Sequence, residues 1–383
     1  MVEMSDNSDI FEYNCLDCGE CERFCSIYLS TGKYGARDKL RLIDKLREGT
    51  EDISEDEKSS IFKCTKCEAC ASNCPQEIDL IALYDWARAE VMHRYGPRNK
   101  KQDAIINNIR DFGNPFGETR TRLENMPEDL VGTENQKKDE RSKQLLHLGC
   151  MLGYRLNSMR DDAMAILNLL KVDYSVSEKE KCCGYFLWNT GERKVVLDVI
   201  EQNQSLFKNY ERIICACAGC YTFFKNNYPN PAKFIHIVEV IDEELGKIDK
   251  STRETLRNAY NPDKDVSFHD SCHLTRPHRI IEPPRNILRL MGYHVKEFEM
   301  SKENGVCCGA DGGMRITNLD LAVQIGKDRV DEAKIISDEL ITLCPFCIFN
   351  FKEASQGDFP IESLYNSIVD FLNPLKESNP SSD

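Results

Sequence analysis

Two groups of four cysteines near the start of the chain share the spacing C-x2-C-x2-C-x3-C. This spacing lets three thiolates wrap round one face of an iron–sulfur cube, so it is a specific signal for [4Fe–4S] clusters. In proteins with two such clusters, the fourth cysteine of each group binds the other cluster. The expected ligand sets are Cys15, Cys18, Cys21 and Cys74 for one cube, and Cys64, Cys67, Cys70 and Cys25 for the second.

Structural zinc is the alternative use of these eight thiols. Zinc prefers four ligands supplied as two C-x2-C pairs, and it would leave thiols over in this pattern. Pro75 follows Cys74, as is usual for such clusters, whereas Ser26 follows Cys25. Because a proline at this place limits the turn but supplies no ligand, the difference leaves the cluster assignment unchanged.

Ten further cysteines form two copies of one pattern: a single cysteine, an adjacent pair followed by glycine, and a C-x2-C. Adjacent cysteines rarely bond to each other, because such a disulfide departs from its preferred geometry. Five thiols exceed what a tetrahedral zinc or an ordinary cube consumes, and the glycine lets the backbone approach a metal closely. The sets are Cys150, Cys182, Cys183, Cys217 and Cys220, and Cys272, Cys307, Cys308, Cys344 and Cys347.

The elements that must position these ten thiols repeat along the chain. The pairs Cys150/Cys272, Cys182/Cys307 and Cys217/Cys344 lie 122, 125 and 127 residues apart, which indicates one duplicated unit. Apolar strand-like runs alternate with helical stretches, so each copy is predicted to be an α/β unit with a mainly parallel sheet and right-handed crossovers. Cysteines at strand ends then gather at one edge of each sheet, where α/β proteins usually bind ligands.

The whole chain is therefore predicted to be an α+β multidomain protein. Residues 1–117 form a helical ferredoxin domain with two clusters, since Leu40, Ile43 and Leu46 recur at helical spacing between the cysteine groups. Residues 118–143 are polar and charged and are predicted to be a linker. The two duplicated cysteine-rich modules follow, at residues 144–263 and 264–383.

Charge and hydrophobicity exclude several classes of function. A net charge of −14 argues against nonspecific binding to nucleic acid. The longest uncharged stretches, 213–224 and 340–351, have 12 residues each, too few to cross a bilayer, which needs roughly 20. The acidic start has no apolar signal region. Nineteen cysteines then indicate metal binding in a reducing compartment, so the expected location is the cytoplasm.

The cysteine spacings resemble those of a known family over most of the chain. C-x31-CC-x33-CxxC and C-x34-CC-x35-CxxC are similar to the cysteine-rich "CCG" module of heterodisulfide reductases. The same module occurs in iron–sulfur subunits that serve glycolate, lactate and glycerol-3-phosphate oxidation. The order of two cubes followed by two CCG modules resembles the fused, D-type catalytic subunit of heterodisulfide reductase.

The resemblance implies cofactors and a reaction. Each module would hold a noncubane [4Fe–4S] cluster on its five cysteines, beside the two cubane clusters of the N-terminal domain. The mixed disulfide of coenzyme M and coenzyme B would lie between the two noncubane clusters, each facing one sulfur. Electrons would arrive singly through the cubes, which suits a bond whose cleavage requires two electrons.

Two other functions remain open at this point. An electron-transfer subunit of a glycolate or lactate oxidase or of an anaerobic glycerol-3-phosphate dehydrogenase needs no open iron site, and a cluster-storage or structural protein needs no reaction. Two intact sets of five thiols favour the disulfide reductase. No flavin, nicotinamide or haem motif is present, so a partner must exchange the electrons. That partner is expected to be a membrane cytochrome b, which would hold the chain at the inner face of the membrane, or a soluble flavoprotein.

Three histidines surround one of the predicted ligands. His269, His273 and His278 flank Cys272 in the stretch HDSCHLTRPH. Each one alone is more often a core or surface residue, but beside a cluster such a group can give a proton to a departing thiolate. His273 is the residue expected to take this catalytic role.

Two remaining features are interpreted as structural. The loop GADGGMR at 309–315 lacks the Lys and Ser or Thr of a phosphate-binding loop, so it is expected to be a turn that packs backbone on a cluster. Cys215 is the nineteenth cysteine, and in the repeat it aligns with Thr342. It is therefore expected to be a buried strand residue rather than a ligand.

The ligand sets predict the metal content. Four clusters of four irons give about sixteen irons per chain, with a similar amount of sulfide. Iron and sulfide analysis of protein purified without oxygen measures both. A value of about eight irons would leave only the two cubes and would remove the assignment of clusters to the CCG modules.

Overall fold

The N-terminal domain of the computed structural model is entirely helical. The structure describes residues 8–97, 99–127, 130, 136–138 and 142–375. A short 3-10 helix at Ser8–Phe11 precedes the first α-helix. The helices of this part are α1 (Glu20–Arg23), α2 (Ser26–Thr31), α3 (Ala36–Arg47), α4 (Glu55–Ser60), α5 (Ala69–Ser72), α6 (Leu80–Tyr95) and α7 (Lys100–Phe112).

Helix α3 forms where the periodicity predicted it. Leu40, Ile43 and Leu46 are buried on one face and pack on α6 in a core of aliphatic and aromatic side chains. Asp79 caps the start of α6 by accepting a hydrogen bond from the Ala82 amide at 2.9 Å. The core of α3 and α6 supports the two short cysteine loops, which are too small to bury an apolar core of their own.

Two parallel sheets make up the rest of the chain. The first has the strand order β1-β3-β2-β4-β5 and the second has the order β7-β6-β8-β9. In the first sheet β2 pairs with β4, and in the second β6 pairs with β8. Both β4 and β8 are followed by a C-x2-C. The strands are β1 (Gln136–Lys138), β2 (Gln144–His147), β3 (Tyr174–Val176), β4 (Arg212–Cys215), β5 (Phe234–His236), β6 (Asp265–His269), β7 (His294–Lys296), β8 (Glu339–Thr342) and β9 (Ile361–Ser363).

Helices connect the strands in the same sequence in both units. One large apolar core, rich in Leu, Ile, Val and Phe, runs through both modules. The helices are α8 (Gly149–Tyr154), α9 (Asn157–Leu169), α10 (Tyr185–Thr190), α11 (Arg193–Phe207), α12 (Ala218–Asn227), α13 (Ile237–Lys247), α14 (Lys250–Tyr260), α15 (Cys272–His278), α16 (Glu282–Met291), α17 (Met314–Thr317), α18 (Leu319–Ile336), α19 (Pro345–Ser355) and α20 (Leu364–Leu372).

The α+β multidomain prediction is confirmed: a helical domain precedes two α/β modules with parallel sheets. Strand β1 is an addition to the first sheet, and it comes from the segment that the sequence predicted as a linker. Within 118–143, residues 128, 129, 131–135 and 139–141 lie outside the described part. The domain boundaries themselves stay predictions. Within the described ranges, we find no helix that combines the length and apolar character required to cross a bilayer.

One buried arginine on α6 joins the three domains. Arg88 is fully buried, and its guanidinium donates to the carbonyl oxygens of Ile61 at 3.1 Å and Cys64 at 2.7 Å. The same group donates to Asn189 of the first module at 2.9 Å and to Gly312 of the second at 2.8 Å. Because guanidinium is a rigid fork of five donors, these bonds fix the relative positions of all three domains.

Candidate metal centres and the cavity between the modules

The eight N-terminal cysteines line two separate cavities. Cys15, Cys18, Cys21 and Cys74 surround the first, together with Pro75. Cys25, Cys64, Cys67 and Cys70 surround the second, together with Lys39, Lys66 and Tyr84. Each cavity thus receives three thiols from one cysteine group and one from the other, which is the arrangement that the shared-ligand pattern of two cubes requires.

The two cavities differ in their access to solvent. Cys15 and Cys18 are exposed at the first cavity, and the apolar side chain of Leu16 between them is 56% exposed. At the second cavity, burial raises the pKa of Cys25 to about 11. The first centre therefore lies at the surface, and the second, whose four thiols are all partly buried, is the inner of the two.

Buried cations accompany the inner thiols. Lys39 is 2% exposed and donates from Nζ to the carbonyl oxygens of Tyr34 and Gly35, the latter at 3.3 Å. Its charge acts to lower the pKa of Cys25 against the effect of burial. A buried charge needs a nearby opposite charge, and four thiolates holding a cluster supply one, so the donor set fits an anionic iron–sulfur cluster.

Each cysteine-rich module brings its five thiols into one connected group. In the first module, hydrogen bonds between thiols join all five in a row: Cys150, Cys182, Cys183, Cys220 and Cys217. In the second module the row is Cys272, Cys307, Cys308, Cys347 and Cys344, with Cys308 Sγ and Cys347 Sγ 3.1 Å apart. The two rows have the same order in the repeat.

Local backbone geometry explains why these positions converge. The C-x2-C of each module follows a central strand, β4 or β8, so that Cys217 and Cys344 are the N-caps of α12 and α19. Gly184 and Gly309 follow the cysteine pairs with φ of +98° and +87°, a conformation that L side chains rarely adopt. The sharp turn at each glycine follows a pair whose second thiol faces the C-x2-C and whose first thiol faces the single cysteine.

Neighbouring thiols lower the pKa of the central thiol in each row. Hydrogen bonds from Cys182 and Cys220 lower the pKa of Cys183, against the effect of burial. Hydrogen bonds from Cys307 and Cys347 lower the pKa of Cys308 in the same way. Since the thiolate is the form that binds metal, dense groups of sulfur atoms with at least one readily ionised member suit an iron–sulfur cluster.

One buried arginine lies beside each row. Arg122, from the segment before the first sheet, is 3.6 Å from Cys150 Sγ and 3.2 Å from the carboxylate of Glu180. Arg276 on α15 donates to the carbonyl oxygens of Cys67 at 2.7 Å and of Gly305. A positive charge beside a cluster stabilises its reduced, more negative state, so both arginines favour acceptance of electrons.

The inner N-terminal centre touches the second module directly. The Cys67 thiol forms a hydrogen bond with the Cys307 thiol, and the backbone of Gly312 lies against the Cys64 carbonyl so closely that a Cβ at Gly312 would collide with it. The sequence predicted that the 309–315 loop packs its backbone on a cluster. In the structure, Gly312 of this loop lies against the inner N-terminal centre. One thiol of each group thus lies beside a thiol of the other.

A cavity of about 170 Å³ lies between the two modules. All five cysteines of the first module line it, and apolar side chains such as Ile105, Phe116 and Met151 form most of the remaining wall. The second module contributes Phe346 and Phe349, together with Asp311 and Arg315, the only charged groups that the described residues place in the lining. Because all five thiols of the first module line it, the cavity is the place where they could hold a cluster, next to apolar side chains of both modules.

His273, the predicted proton donor, is buried behind this cavity rather than in its lining. Its Nε2 lies 2.6 Å from the Tyr185 hydroxyl, and its Nδ1 lies 3.5 Å from Asp311 Oδ2 and 3.6 Å from Cys272 Sγ. Tyr185 and Asp311 both line the cavity. His273 therefore connects two cavity groups, whereas the ring of His278 lies edge-on to Tyr221.

Burial shifts the pKa values of this group in different directions. It lowers the pKa of His273 to about 3, which keeps the imidazole neutral. It raises the pKa of Asp311 to about 7 and that of Tyr185 well above its ordinary value. Asp311 Oδ2 has no hydrogen-bond partner among the described residues, so this carboxyl is a buried acid whose proton is exchanged near neutral pH.

The sequence did not single out several residues of the site. Tyr185 comes two residues after Cys183, and Asp311 lies inside the loop that was interpreted as a turn. The one feature of the sequence that could have indicated Tyr185 and Asp311 is that each follows a cysteine pair within three residues. The sequence named His269 only as one of three histidines near Cys272. In the structure, a ring nitrogen of His269 and the thiols of Cys308 and Cys347 lie within 4.8 Å of one another.

Comparison with known proteins identifies the parts of the chain. Residues 13–78 match the family described as a 4Fe-4S dicluster domain, and residues 144–225 and 266–352 match the family described as a cysteine-rich domain, CCG. The predicted resemblance in domain types and order is confirmed.

Relatives that align with most of the chain extend this result. The chain is 29% identical to the D-type subunit of the dihydromethanophenazine:CoB–CoM heterodisulfide reductase of Methanosarcina barkeri, over 94% of this chain and 93% of the relative. It is 25% identical to the B-type subunit of the fumarate reductase (CoM/CoB) of Methanothermobacter marburgensis, over 90% and 68%. It is 26% identical to the EtfAB:quinone oxidoreductase of Syntrophomonas wolfei, over 88% and 54%.

Cys215 lies apart from the row of five thiols. It is fully buried on β4, where it pairs with His147 across the sheet, and Thr342 pairs with His269 at the same place in the second sheet. Its thiol points to the carbonyl of Ile213 at 3.8 Å. We therefore expect Cys215→Ser to keep the full iron content, because a serine hydroxyl can serve as the Thr342 hydroxyl does.

The control for this substitution is Cys217→Ser, two residues further along, which removes a member of the row. Iron analysis and the visible absorption spectrum measure cluster content in both variants. Loss of about four irons from Cys215→Ser would show that the first set of ligands has been assigned wrongly.

Proposed function

Because this chain is an iron–sulfur subunit of the heterodisulfide reductase type, we propose that it catalyses reduction of the mixed disulfide of coenzyme M and coenzyme B. We assign the eight N-terminal cysteines to two cubane [4Fe–4S] clusters, one for each of the two cavities that these cysteines line. We assign the ten module cysteines to two noncubane clusters, one for each row of five.

The observation that carries the proposal is the cavity between the modules. All five thiols of the first module line this cavity of about 170 Å³, so a cluster held by them would face the apolar side chains that both modules contribute to the wall. Phe116, Phe346 and Phe349 in its wall suit an apolar arm of a substrate. Arg315, at the same wall, is bonded to Asn350 and Glu353 and can in addition attract an anionic group.

The residues also define a route for electrons. The exposed edge at Cys15 and Cys18 is the place where a redox partner can approach the first centre. The shared fourth cysteines, Cys25 and Cys74, join the first centre to the second. From there Cys67 contacts Cys307 of the second module, so the route continues to the cavity without leaving the protein.

Iron–sulfur clusters supply single electrons and, where a coordination position is open, an iron that can accept sulfur. The overall reaction consumes one disulfide, two electrons and two protons, and it releases two thiols. The electrons come from the redox partner. The protons must come from side chains at the cavity, because its apolar wall admits little water.

Asp311 and Tyr185 are the side chains in position to handle these protons. Asp311 has a pKa of about 7, so near neutral pH a large fraction of molecules carries the proton that a leaving thiolate needs. His273 lies between Asp311 and the Tyr185 hydroxyl and can pass a proton from one to the other. We assign His273 a positioning and relay role, and Asp311 the role of acid.

The electron-relay alternative has one observation in its favour. Similarity to the EtfAB:quinone oxidoreductase of Syntrophomonas wolfei and to the probable iron–sulfur-binding oxidoreductase FadF of Bacillus subtilis extends over 88% and 77% of this chain. An electron-transfer subunit of a glycolate or lactate oxidase or of an anaerobic glycerol-3-phosphate dehydrogenase would use the same exposed edge. Under either function the partner is a membrane cytochrome b or a soluble flavoprotein, and cytoplasmic location is part of the proposal.

Removal of one ligand from the second module separates the two functions. Purified wild-type protein should reduce the coenzyme M–coenzyme B disulfide with reduced viologen in the absence of oxygen. Cys308→Ser should abolish this activity, because it breaks the row of five thiols, while the N-terminal cubes still accept electrons. Viologen oxidation measures the activity, and electron paramagnetic resonance (EPR) of the reduced protein monitors the cubes.

Cys67→Ser is the matched variant in the N-terminal domain. It should stop electron entry from the natural partner but keep part of the turnover with viologen, a small donor that reaches the modules directly. Iron content and thermal unfolding check that each variant still folds, since cluster loss can unfold a domain. If the wild type lacks disulfide reductase activity but restores hydroxyacid or glycerol-phosphate oxidation to a flavoprotein, the relay function is correct.

The proton-transfer role of Asp311 predicts a pH effect. Its acidic form disappears as pH rises through about 7, so kcat/KM of the wild type should fall above that pH. Asp311→Asn should lower kcat/KM about a hundredfold below pH 7 and remove this decline. Asp162→Asn is the control, because burial also raises the pKa of Asp162, to about 6, but it lies on α9 outside the cavity lining. An Asp311→Asn profile identical to the wild type would exclude the role.

A further inference from the structure

A surface groove of about 670 Å³ lies between helices α13, α14 and α16. Helices α13 and α14 follow the last strand of the first sheet, whereas α16 lies between β6 and β7 of the second. No cysteine is among the described residues that line this groove, so it is separate from the sulfur centres. We propose that it binds a phosphate-type oxyanion between Arg253 and Arg257 of α14. This site goes beyond the proposed function and does not depend on it.

The lining is positively charged, although the whole chain carries a net charge of −14. Four cationic and two acidic side chains line the groove: Lys250, Arg253, Arg257 and Arg289, with Asp242 and Glu254. Asp242 accepts a hydrogen bond from Asn286 Nδ2 at 3.1 Å. Glu254 lies 3.7 Å from Lys250 Nζ, so both acidic groups already have partners. A cleft lined by an excess of one charge attracts ligands of the opposite charge.

The sequence of α14 places its cations on one face. Lys250, Arg253 and Arg257 are three and four residues apart, and positions with this spacing are neighbours on a helix surface. Like charges four residues apart destabilise a helix, and this helix buries only one side chain, that of Leu256. An anion between Arg253 and Arg257 would offset the repulsion between them.

The two arginines lack the partners that the third arginine of the groove has. Arg289 lies 2.7 Å from a carboxylate oxygen of Glu282 and 3.0 Å from the side-chain oxygen of Asn286. In the described part of the chain, the guanidinium groups of Arg253 and Arg257 have no ion pair or hydrogen bond. Arg253 Nε is also buried, and a buried donor without an acceptor costs free energy. An oxyanion in the groove would supply the missing acceptors.

The lining also indicates what kind of oxyanion fits. Guanidinium groups bind phosphate and carboxylate through parallel N–H bonds. A phosphate group offers three acceptor oxygens and about two negative charges, so it suits two guanidinium groups better than one carboxylate does. The groove volume lies within the range of about 300–1,000 Å³ that is typical of small-molecule sites, so a larger group attached to the phosphate can extend toward Asn286 and Leu290. The phosphate can belong to a soluble molecule or to a lipid headgroup.

Removal of the two guanidinium groups tests the proposal. Pyrophosphate binding to the oxygen-free holoprotein is measured by isothermal titration calorimetry at constant ionic strength, and one saturable site per chain is expected. Arg253→Gln combined with Arg257→Gln should weaken this binding about tenfold or more, because two charge-assisted contacts are lost. The matched control combines Arg41→Gln and Arg110→Gln, which remove the same charge from exposed positions on α3 and α7 and should leave the binding unchanged.

Gly246 allows a test that keeps every arginine. It lies on α13 in the wall of the groove, where a Cβ would meet no atom within 4 Å. Gly246→Glu brings a competing carboxylate to the groove and should weaken pyrophosphate binding about tenfold. Gly246→Gln, of equal size and without charge, should bind pyrophosphate as the wild type does. Glu and Gln both favour a helix more than Gly does, so both variants should fold. Iron content and thermal unfolding check this for every variant.

Vesicles separate the two sources of phosphate. Flotation with vesicles of phosphatidylglycerol and phosphatidylcholine, lost in the Arg253/Arg257 double variant and absent with phosphatidylcholine alone, would assign the site to lipid headgroups. Pyrophosphate binding without flotation would assign it to a soluble phosphorylated molecule. Absence of both pyrophosphate binding and flotation would overturn the proposal, and so would binding that the double variant and Gly246→Glu leave unchanged. Disulfide reduction enters none of these readouts, so the proposed function is judged separately.

Discussion

The architecture depends on a guanidinium group that no solvent reaches. Arg88 binds four backbone carbonyl oxygens that belong to the dicluster domain and to both modules. Each bond to a charged donor contributes on the order of 1.5–3 kcal/mol, and a buried carbonyl left without a donor costs a comparable amount. Two of the acceptors, Cys64 and Gly312, lie directly beside sulfur centres. The same interaction that joins the domains therefore sets the distance between the inner cube site and the second module.

The order of the domains and the cysteine sets could be predicted from the sequence, because the spacing of the cysteines indicates which of them bind a cluster together. The two N-terminal groups of four are local patterns, and each is held by a short loop next to a helix that begins after it. The duplication could also be predicted. The distance from a cysteine to its counterpart in the second copy is 122 residues at the first cysteine and 127 at the C-x2-C, a change of only five. Parallel strands followed from the alternation of apolar runs with helical stretches.

The remainder could not be predicted because it depends on contacts between distant parts of the chain. Nothing in the sequence near Cys67 or Cys307 shows that the two thiols meet, and nothing in the sequence around Arg88 marks it as buried. His273 was recognised by its neighbour Cys272, but its link to Tyr185 crosses from one module to the other. The segment at 118–143 looked like a linker because it is polar, yet Arg122 within it is buried against Glu180 by a charge pair that composition does not reveal.

The contact between Cys67 and Cys307 also bears on how the protein can be divided. The two thiols come from the dicluster domain and from the second module, and Arg276 of the second module donates to the Cys67 carbonyl oxygen at 2.7 Å. A fragment that holds only one of these parts lacks the contact, so the path between their sulfur groups exists only in the intact chain.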